Sequence, residues 1–151
     1  MKQKDYLLLL AETLKQLDDA LHWLDRSYRQ CARIGRKANY SPEEFDRFEA
    51  LTSRFARVSD ILVQKVYRSI DMVEFETGGS MLDMLHRAEK RGLIDTVDEI
   101  RTIRDLRNSI AHEYIQDSLV EIFQETLRLT PTLMRLVERA RRYCQKFEIP
   151  D

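Results

Sequence analysis

The sequence has few of the residues that break helices or cross-link small proteins. It contains 4 Gly, 3 Pro and 2 Cys in 151 residues. This scarcity favours long, uninterrupted elements, and two cysteines cannot form a disulfide framework, so we expect reduced thiols. An excess of one charge is also missing, since 25 basic residues stand against 26 acidic ones. The chain as a whole therefore has no general attraction to nucleic acid, and any such site has to be a local basic patch.

The start of the sequence does not resemble a signal peptide or a membrane span. Residues 7–10 are four leucines, but Glu12 and Lys15 follow closely, which makes the segment too short and too charged for either role. We therefore expect a cytoplasmic protein that has no membrane partner. Hydrophobic residues make up 43% of the chain, and no linker divides it, so residues 1–151 are predicted to form a single domain.

The hydrophobic spacing predicts helices along the whole chain, because no segment alternates as a strand does. The first helix is expected over about residues 5–33, with one apolar seam at steps of three and four. Ser41, Pro42 and Glu44 are the start signal of a second long helix, which should end before Gly78. The predicted seam of the first helix comprises Leu7, Leu10, Leu14, Leu17, Leu21, Leu24 and Tyr28.

Three further helices are expected in the second half of the chain. Ser80 should open a short one that Gly92 stops, and Asp95 should cap the next. Asp117 or Ser118 should cap the last helix, which would extend as far as Phe147 and be bent or interrupted at residues 130–131, Thr-Pro. We therefore predict an all-α fold, an antiparallel bundle of about five helices with short connections.

Common catalytic motifs are absent from the sequence. The segment ETGGS lacks the lysine and the spacing of a phosphate-binding loop, and the three histidines do not form a zinc-binding HExxH motif. Two separate cysteines do not make a zinc site, and nothing matches a nucleophile elbow. We expect neither a metal nor a cofactor.

One stretch, RDLRNSIAHEY at residues 104–114, places several costly polar side chains inside an apolar helical pattern. At about 100° per residue, the apolar residues share one face of the predicted helix and the polar ones share another. Arg101, Arg104 and Arg107 recur every three residues and form a local cationic strip. The inward residues are Ile100, Ile103, Leu106 and Ile110; one polar stripe holds Arg104, Arg107, Ala111 and Tyr114, and the adjacent stripe holds Arg101, Asn108 and His112.

These residue types suit a phosphodiester. An arginine offers a charged fork to a phosphate, a histidine moves protons near neutral pH, and an asparagine orients a neighbour. RNA carries its own nucleophile, the 2′-hydroxyl group, so Arg107 and His112 could cleave it without a metal by acid–base catalysis and charge stabilisation. Alternatively, the strip is an ordinary solvated face and Tyr114 is an aromatic residue at the edge of the core.

The spacing of the two central residues raises a geometric difficulty. Arg107 and His112 lie five residues apart, so on a straight helix they point about 140° apart and are separated by about 7.5 Å along the axis. Either the helix loosens here, or a second copy of the chain supplies the missing groups in a symmetric dimer.

The same stretch resembles the signature of the HEPN superfamily (higher eukaryotes and prokaryotes nucleotide-binding domain). Arg107 and Asn108 precede His112 with four residues between the arginine and the histidine, and Tyr114 adds the His-x-Tyr extension. That extension is similar to HEPN toxins that are paired with minimal nucleotidyltransferase antitoxins. The predicted helical bundle agrees with the HEPN fold over nearly the whole chain.

The resemblance implies a metal-independent endoribonuclease toxin that acts as a homodimer, with the two motifs facing each other across a cleft. His112 would be the acid–base residue, Arg107 the contact to the phosphate and transition state, and Asn108 a positioning group, while Arg101 and Arg104 of the strip would bind RNA. Tyr114 would accept AMP from the nucleotidyltransferase partner, which would block RNA entry.

Two other functions remain open from the sequence. The bundle could be a non-catalytic subunit that presents a nucleotide or substrate to a nucleotidyltransferase, or a plain helical dimerisation module. The seam of the first helix is the only support for the last of these.

Overall fold

A computed structural model describes residues 2–113 and 115–148, without the side chains of residues 116 and 117. The described residues form helices and no strand, so the predicted all-α bundle is confirmed. Three segments follow one another without a break, Pro42–Asp60, Ile61–Val66 and Tyr67–Val73, and form one long rod, which makes five helical rods in the described chain. The helices are α1 Gln3–Ile34, α2 Pro42–Asp60, a π-helical segment Ile61–Val66, α3 Tyr67–Val73, α4 Met81–Lys90, α5 Val97–His112 and α6 Gln116–Cys144.

Four of the rods form an antiparallel bundle, in which α1, the rod of α2 and α3, α5 and α6 follow one another around the core. Arg54 of α2 stacks on Trp23 of α1, and further along the same pair Lys65 bonds to Gln16, which shows that α1 and α2 run in opposite directions. The short helix α4 links α3 to α5. None of the described helices is long and apolar enough to span a membrane.

The core face of α1 differs in part from the predicted seam. Leu10, Leu17 and Leu24 are fully buried as expected. The other members of the seam, Leu7, Leu14, Leu21 and Tyr28, are only partly buried. The core stripe instead continues through small residues three positions after each buried leucine, Thr13, Ala20 and Ser27, and ends at Cys31.

The predicted starts of α2 and α4 are confirmed. Ser41 accepts a hydrogen bond from the Glu44 backbone N–H, and the Glu44 carboxylate accepts one from the Ser41 N–H. Ser80 and Asp83 form the same reciprocal pair at the start of α4. Each pair satisfies N–H groups that a helix start leaves without partners.

Other predicted boundaries were wrong. Thr96, not Asp95, caps α5 by accepting from the Glu99 N–H, while Asp95 forms an ion pair with Arg139 at 2.9 Å. Helix α6 begins at Gln116, before Ser118, and has no side-chain cap.

A bend or an interruption of α6 was predicted at residues 130–131, and the interruption was wrong. The helix runs through the proline and ends at Cys144 rather than Phe147. Leu129 and Leu133 are buried on either side of the proline, and this packing offsets the roughly 3 kcal/mol that an interior proline costs.

A buried carboxylate connects α3 to α4. The Asp71 side chain is 5% exposed, and Arg87 Nη2 donates to its Oδ2 at 2.9 Å. Arg91 Nη1 donates to its Oδ1, and the same guanidinium contacts Glu74 at 3.0 Å. These bonds fix the connection that leads from α3 back towards α5.

Candidate functional site

The structure divides the predicted cationic strip of α5 into two groups. Arg104 and Arg107 lie against α2, and their side chains are only 19% and 28% exposed. Arg101, Asn108 and His112 are exposed on the adjacent stripe. This arrangement follows the predicted helical stripes, since the apolar residues Ile100, Ile103 and Leu106 are buried and Ile110 is partly buried.

Asp60, the last residue of α2, joins the two half-buried arginines. Its Oδ1 accepts hydrogen bonds from Arg104 Nη1 at 2.7 Å and from Arg107 Nε at 2.8 Å, and its Oδ2 accepts from Arg107 Nη2 at 2.9 Å. Arg104 Nη1 also donates to Ser59 Oγ at 3.0 Å. Asp60 therefore makes a two-point contact with Arg107 and a single contact with Arg104.

The electrostatics of this cluster favour the charged forms of Asp60 and Arg107. Burial of the Asp60 carboxyl acts to raise its pKa, but the hydrogen bonds from Arg107 and Arg104 outweigh that effect, and the pKa lies below its ordinary value. The hydrogen bond to Asp60 raises the pKa of Arg107. Two guanidinium groups share one carboxylate, so the cluster keeps a net positive charge.

The backbone around Asp60 is unusual because the π-helical segment begins at the next residue. Ser59 before it and Leu62 and Val63 after it are fully buried, whereas the Asp60 side chain is 29% exposed at the edge facing α5. A π turn in a long helix often marks a functional site. Here it lies where α2 presents its carboxylate to the arginines.

The two edges of α5 differ in charge. The edge that faces α2 carries the arginines, while a shallow groove of about 440 Å³ on the side of α6 is lined by acidic residues together with Ser109. The acidic residues of the groove are Asp105, Glu121 and Glu125. Glu125 is paired with Arg128, so the negative charge of the groove comes mainly from its other two carboxylates.

His112 is the last residue of α5 and is exposed. Helix α5 is a regular α-helix from Val97 to His112. The first of the two explanations for the spacing, a helix that loosens between Arg107 and His112, was therefore wrong. The two side chains therefore keep the separation of about 140° and about 7.5 Å that a straight helix imposes. One protomer brings Arg107 together with Asp60 and Arg104, but not with His112.

The remaining predicted site residues are placed as follows. Arg101 is 57% exposed and lies 3.5 Å from Asp98 one turn earlier, which leaves it accessible to solvent. Tyr114 lies outside the described residues. Among the residues that the structure describes, no three His, Cys, Asp or Glu side chains are grouped to hold a metal ion.

The sequence analysis missed Asp60, which is 44 residues away from Arg104. The available signal was an acidic residue within the apolar run of the second helix, in the segment VSDILV at residues 58–63. A carboxylate at the edge of a buried helix needs a positively charged partner, and the arginines of the later helix could have been considered for that role.

Comparisons of the chain with protein-family models, with curated proteins and with solved structures found no match.

Proposed function

We propose that the protein is a metal-independent endoribonuclease of the HEPN superfamily, acting in the cytoplasm as the toxin of a toxin–antitoxin pair. The observation that carries the proposal is the cationic edge of α5, where Arg107 is held by Asp60 and His112 is exposed nearby on the same helix. The Arg-Asn-x-x-x-His-x-Tyr pattern supplies the family, and the helical bundle is consistent with it.

In the proposed reaction the 2′-oxygen of a ribose attacks the adjacent phosphorus, and the bond to the 5′-oxygen of the next nucleotide breaks. His112 transfers protons, as a base towards the 2′-hydroxyl or as an acid towards the leaving oxygen. Arg107 stabilises the negative charge that develops on the phosphoryl oxygens, and Asn108 orients the phosphate or the histidine. Arg101 and Arg104 attract the neighbouring phosphates.

The active site is proposed to form between two copies of the chain. A straight α5 does not direct Arg107 and His112 of one protomer to the same phosphate. A symmetric homodimer in which two α5 helices face each other would place the arginine of one copy opposite the histidine of the other. The exposed positions of Asn108 and His112 support such a contact.

Neutralisation is proposed to occur by transfer of AMP to Tyr114 from a minimal nucleotidyltransferase antitoxin. Tyr114 follows His112 by two residues, so a nucleotide attached there would lie close to the proposed site. Its phosphate would repel the RNA backbone and compete for the cationic edge, while its bulk would obstruct the cleft.

The decisive experiment compares RNA cleavage by the wild type, His112→Ala and His86→Ala in the presence of a chelator. His86 is an exposed histidine on α4, which makes it a matched control. We expect the wild type and His86→Ala to cleave equally and His112→Ala to be slower by about 10²- to 10⁴-fold. Cleavage by His112→Ala at the wild-type rate would show that His112 is not the acid–base residue.

The shared site is tested by mixing two inactive variants, Arg107→Ala and His112→Ala, after unfolding and refolding them together. Half of the resulting dimers would contain one copy of each variant. Each of these mixed dimers would have one site with both Arg107 and His112 and one site with neither, so roughly a quarter of the wild-type activity should return. If mixed dimers form and stay inactive, both groups act within one protomer and the composite site is wrong.

A binding subunit without catalytic activity is the competing function. It would bind RNA or nucleotide without cleaving it, and its induced expression would not arrest growth. The proposed toxin should arrest growth, and the arrest should disappear with Arg107→Ala.

A further inference from the structure

We infer that Asp60 is a positioning residue that holds the guanidinium group of Arg107 so that its free edge faces an RNA phosphate. The inference rests on the proposed function, since it assigns a task to a contact beside the proposed catalytic residues. It adds a residue from a different helix that the sequence motif does not contain.

Asp60 uses only part of the hydrogen-bond donors of Arg107. A guanidinium group has five N–H donors arranged along two edges that can each bind two acceptor oxygens. Asp60 occupies the edge formed by Nε and Nη2. The other edge, formed by Nη1 and the second N–H of Nη2, has no acceptor among the described residues. It matches the spacing of two phosphate oxygens.

The cluster of Asp60, Arg104 and Arg107 keeps a net positive charge. A carboxylate that neutralised a lone arginine would weaken its attraction for a phosphate. Here Asp60 is shared by Arg104 and Arg107, so the cluster stays positive after the carboxylate has been counted. Asp60 also holds the two guanidinium groups together against their mutual repulsion, which concentrates positive charge at one point of the edge.

The Asp60 carboxylate is a rigid support for the Arg107 side chain. Asp60 follows the fully buried Ser59 and precedes the partly buried Ile61 and the fully buried Leu62, so its backbone is held by the core. A two-point contact from a fixed carboxylate restricts the rotation of the flexible arginine side chain. An arginine that is already ordered loses less conformational entropy when it binds the transition state.

The opposite role for Asp60 would be inhibition, in which the carboxylate competes with the phosphate for Arg107. The two roles predict opposite effects of Asp60→Asn, which keeps the size of the side chain but removes the charge. Positioning predicts slower cleavage, whereas inhibition predicts faster cleavage.

The test measures kcat and KM on a short RNA for the wild type, Asp60→Asn, Asp60→Glu and the control Asp95→Asn. Asp95 also pairs with an arginine, at 2.9 Å from Arg139, but it lies at the opposite end of α5. We expect Asp60→Asn to lower kcat by about 10- to 100-fold, since a small misplacement of a catalytic group has an effect of that order. Asp60→Glu should recover part of the loss, and Asp95→Asn should match the wild type.

A spectroscopic readout separates this inference from the proposed function. In nitrogen–proton correlation spectra the Nε–H group of Arg107, identified by its absence in Arg107→Lys, should give a sharp signal in the wild type. The signal should broaden or vanish in Asp60→Asn and persist in Asp95→Asn, with circular dichroism verifying that each variant is folded. This measurement requires no RNA cleavage.

Each combination of results has a distinct meaning. If the wild type cleaves no RNA, the proposed function fails, and loss of the Arg107 signal in Asp60→Asn still supports Asp60 as the residue that holds the arginine. Cleavage by Asp60→Asn at or above the wild-type rate overturns the positioning role, and so does an unchanged Arg107 signal in that variant.

Discussion

Replacing Asp71 by Asn should destabilise the bundle more than the same replacement at Asp60 or Asp25. All three carboxylates accept hydrogen bonds or ion pairs from arginine, but their exposure differs. The side chain of Asp71 is 5% exposed, that of Asp60 is 29% exposed and that of Asp25 is 40% exposed. The same chemical change is therefore made in three different environments.

The expected losses follow from that exposure. Removing one partner of a buried ion pair costs about 3 to 5 kcal/mol when the remaining charge is left without compensation. Without Asp71, Arg87 keeps only the Gly78 carbonyl at 3.1 Å and Arg91 keeps Glu74 at 3.0 Å, so a loss in the lower part of that range is expected. At Asp60 a charged hydrogen bond of about 1.5 to 3 kcal/mol is partly screened by solvent, so about 1 to 2 kcal/mol is expected. Asp25 pairs with Arg29, whose side chain is 74% exposed, and should contribute less than about 1 kcal/mol.

The assay is urea unfolding of the wild type and the three variants, followed by far-UV circular dichroism near neutral pH. Linear extrapolation gives the free energy of unfolding, provided that the slopes agree among the variants. A loss of 3 to 5 kcal/mol would be a large part of the roughly 5 to 15 kcal/mol that stabilises a typical domain. If Asp71→Asn falls within about 1 kcal/mol of the wild type, or Asp25→Asn is equally damaging, exposure does not control these contacts.

Three further predictions concern pH, capping and thiol reactivity. Because the pKa of Asp60 is lowered on folding, its stabilising contribution is complete above the unfolded pKa of about 3.9 and is lost as the pH falls through the folded pKa. In urea titrations, the difference in unfolding free energy between the wild type and Asp60→Asn should therefore be constant from about pH 5 to 8 and shrink below about pH 4. A difference that grows below about pH 4 would contradict this sign. Ser41→Ala should cost about 1 kcal/mol in the same assay, since it removes the cap of α2, and no loss would mean that the cap contributes nothing. Burial raises the pKa of Cys31 to about 11 and that of Cys144 to about 12, so a thiol reagent should modify both only after urea unfolding, and rapid labelling of the native protein would be inconsistent with their burial.

Local signals in the sequence were sufficient for the starts of α2 and α4. Ser41 and Glu44 lie three residues apart and satisfy each other within one turn, so no distant part of the chain decides the outcome. The start of α5 was displaced by one residue because Asp95 and Thr96 are both suitable caps. Thr96 makes the cap, and Asp95 pairs instead with Arg139 of α6, a contact that the local sequence does not reveal.

Tertiary packing decided the features that periodicity left open. In α1 the residues at steps of seven from Leu7 and those at steps of seven from Leu10 form adjacent stripes, and spacing alone does not show which one faces the core. Burial of Leu10, Leu17 and Leu24 shows that the second stripe does. In α6 the packing of Leu129 and Leu133 similarly carries the helix through Pro131, against the local preference of the sequence.

The polar stripes of α5 were predictable, but the partner of their arginines was not. Helical periodicity places Arg104 and Arg107 on one stripe because both lie on the same regular helix. It contains no information on the residue that α2 brings to that stripe. The π-helical segment that begins after Asp60 also shifts the helical register. The direction of the Asp60 side chain could therefore not be derived from the apolar spacing of the second helix.

The contact with Asp60 weighs against a plain solvated face for the arginines of α5. Arginines on a solvated face remain in water and need no carboxylate from another helix, whereas Arg104 and Arg107 are mostly withdrawn from solvent and converge on a single residue. Holding two like charges together is unfavourable unless an opposite charge offsets it, and one carboxylate offsets only part of it. The positive charge that remains has no partner among the described residues at the free edge of Arg107, while Asn108, the next residue, and His112, five residues further on, stay exposed. An anion such as the phosphodiester of the proposed substrate would complete this arrangement.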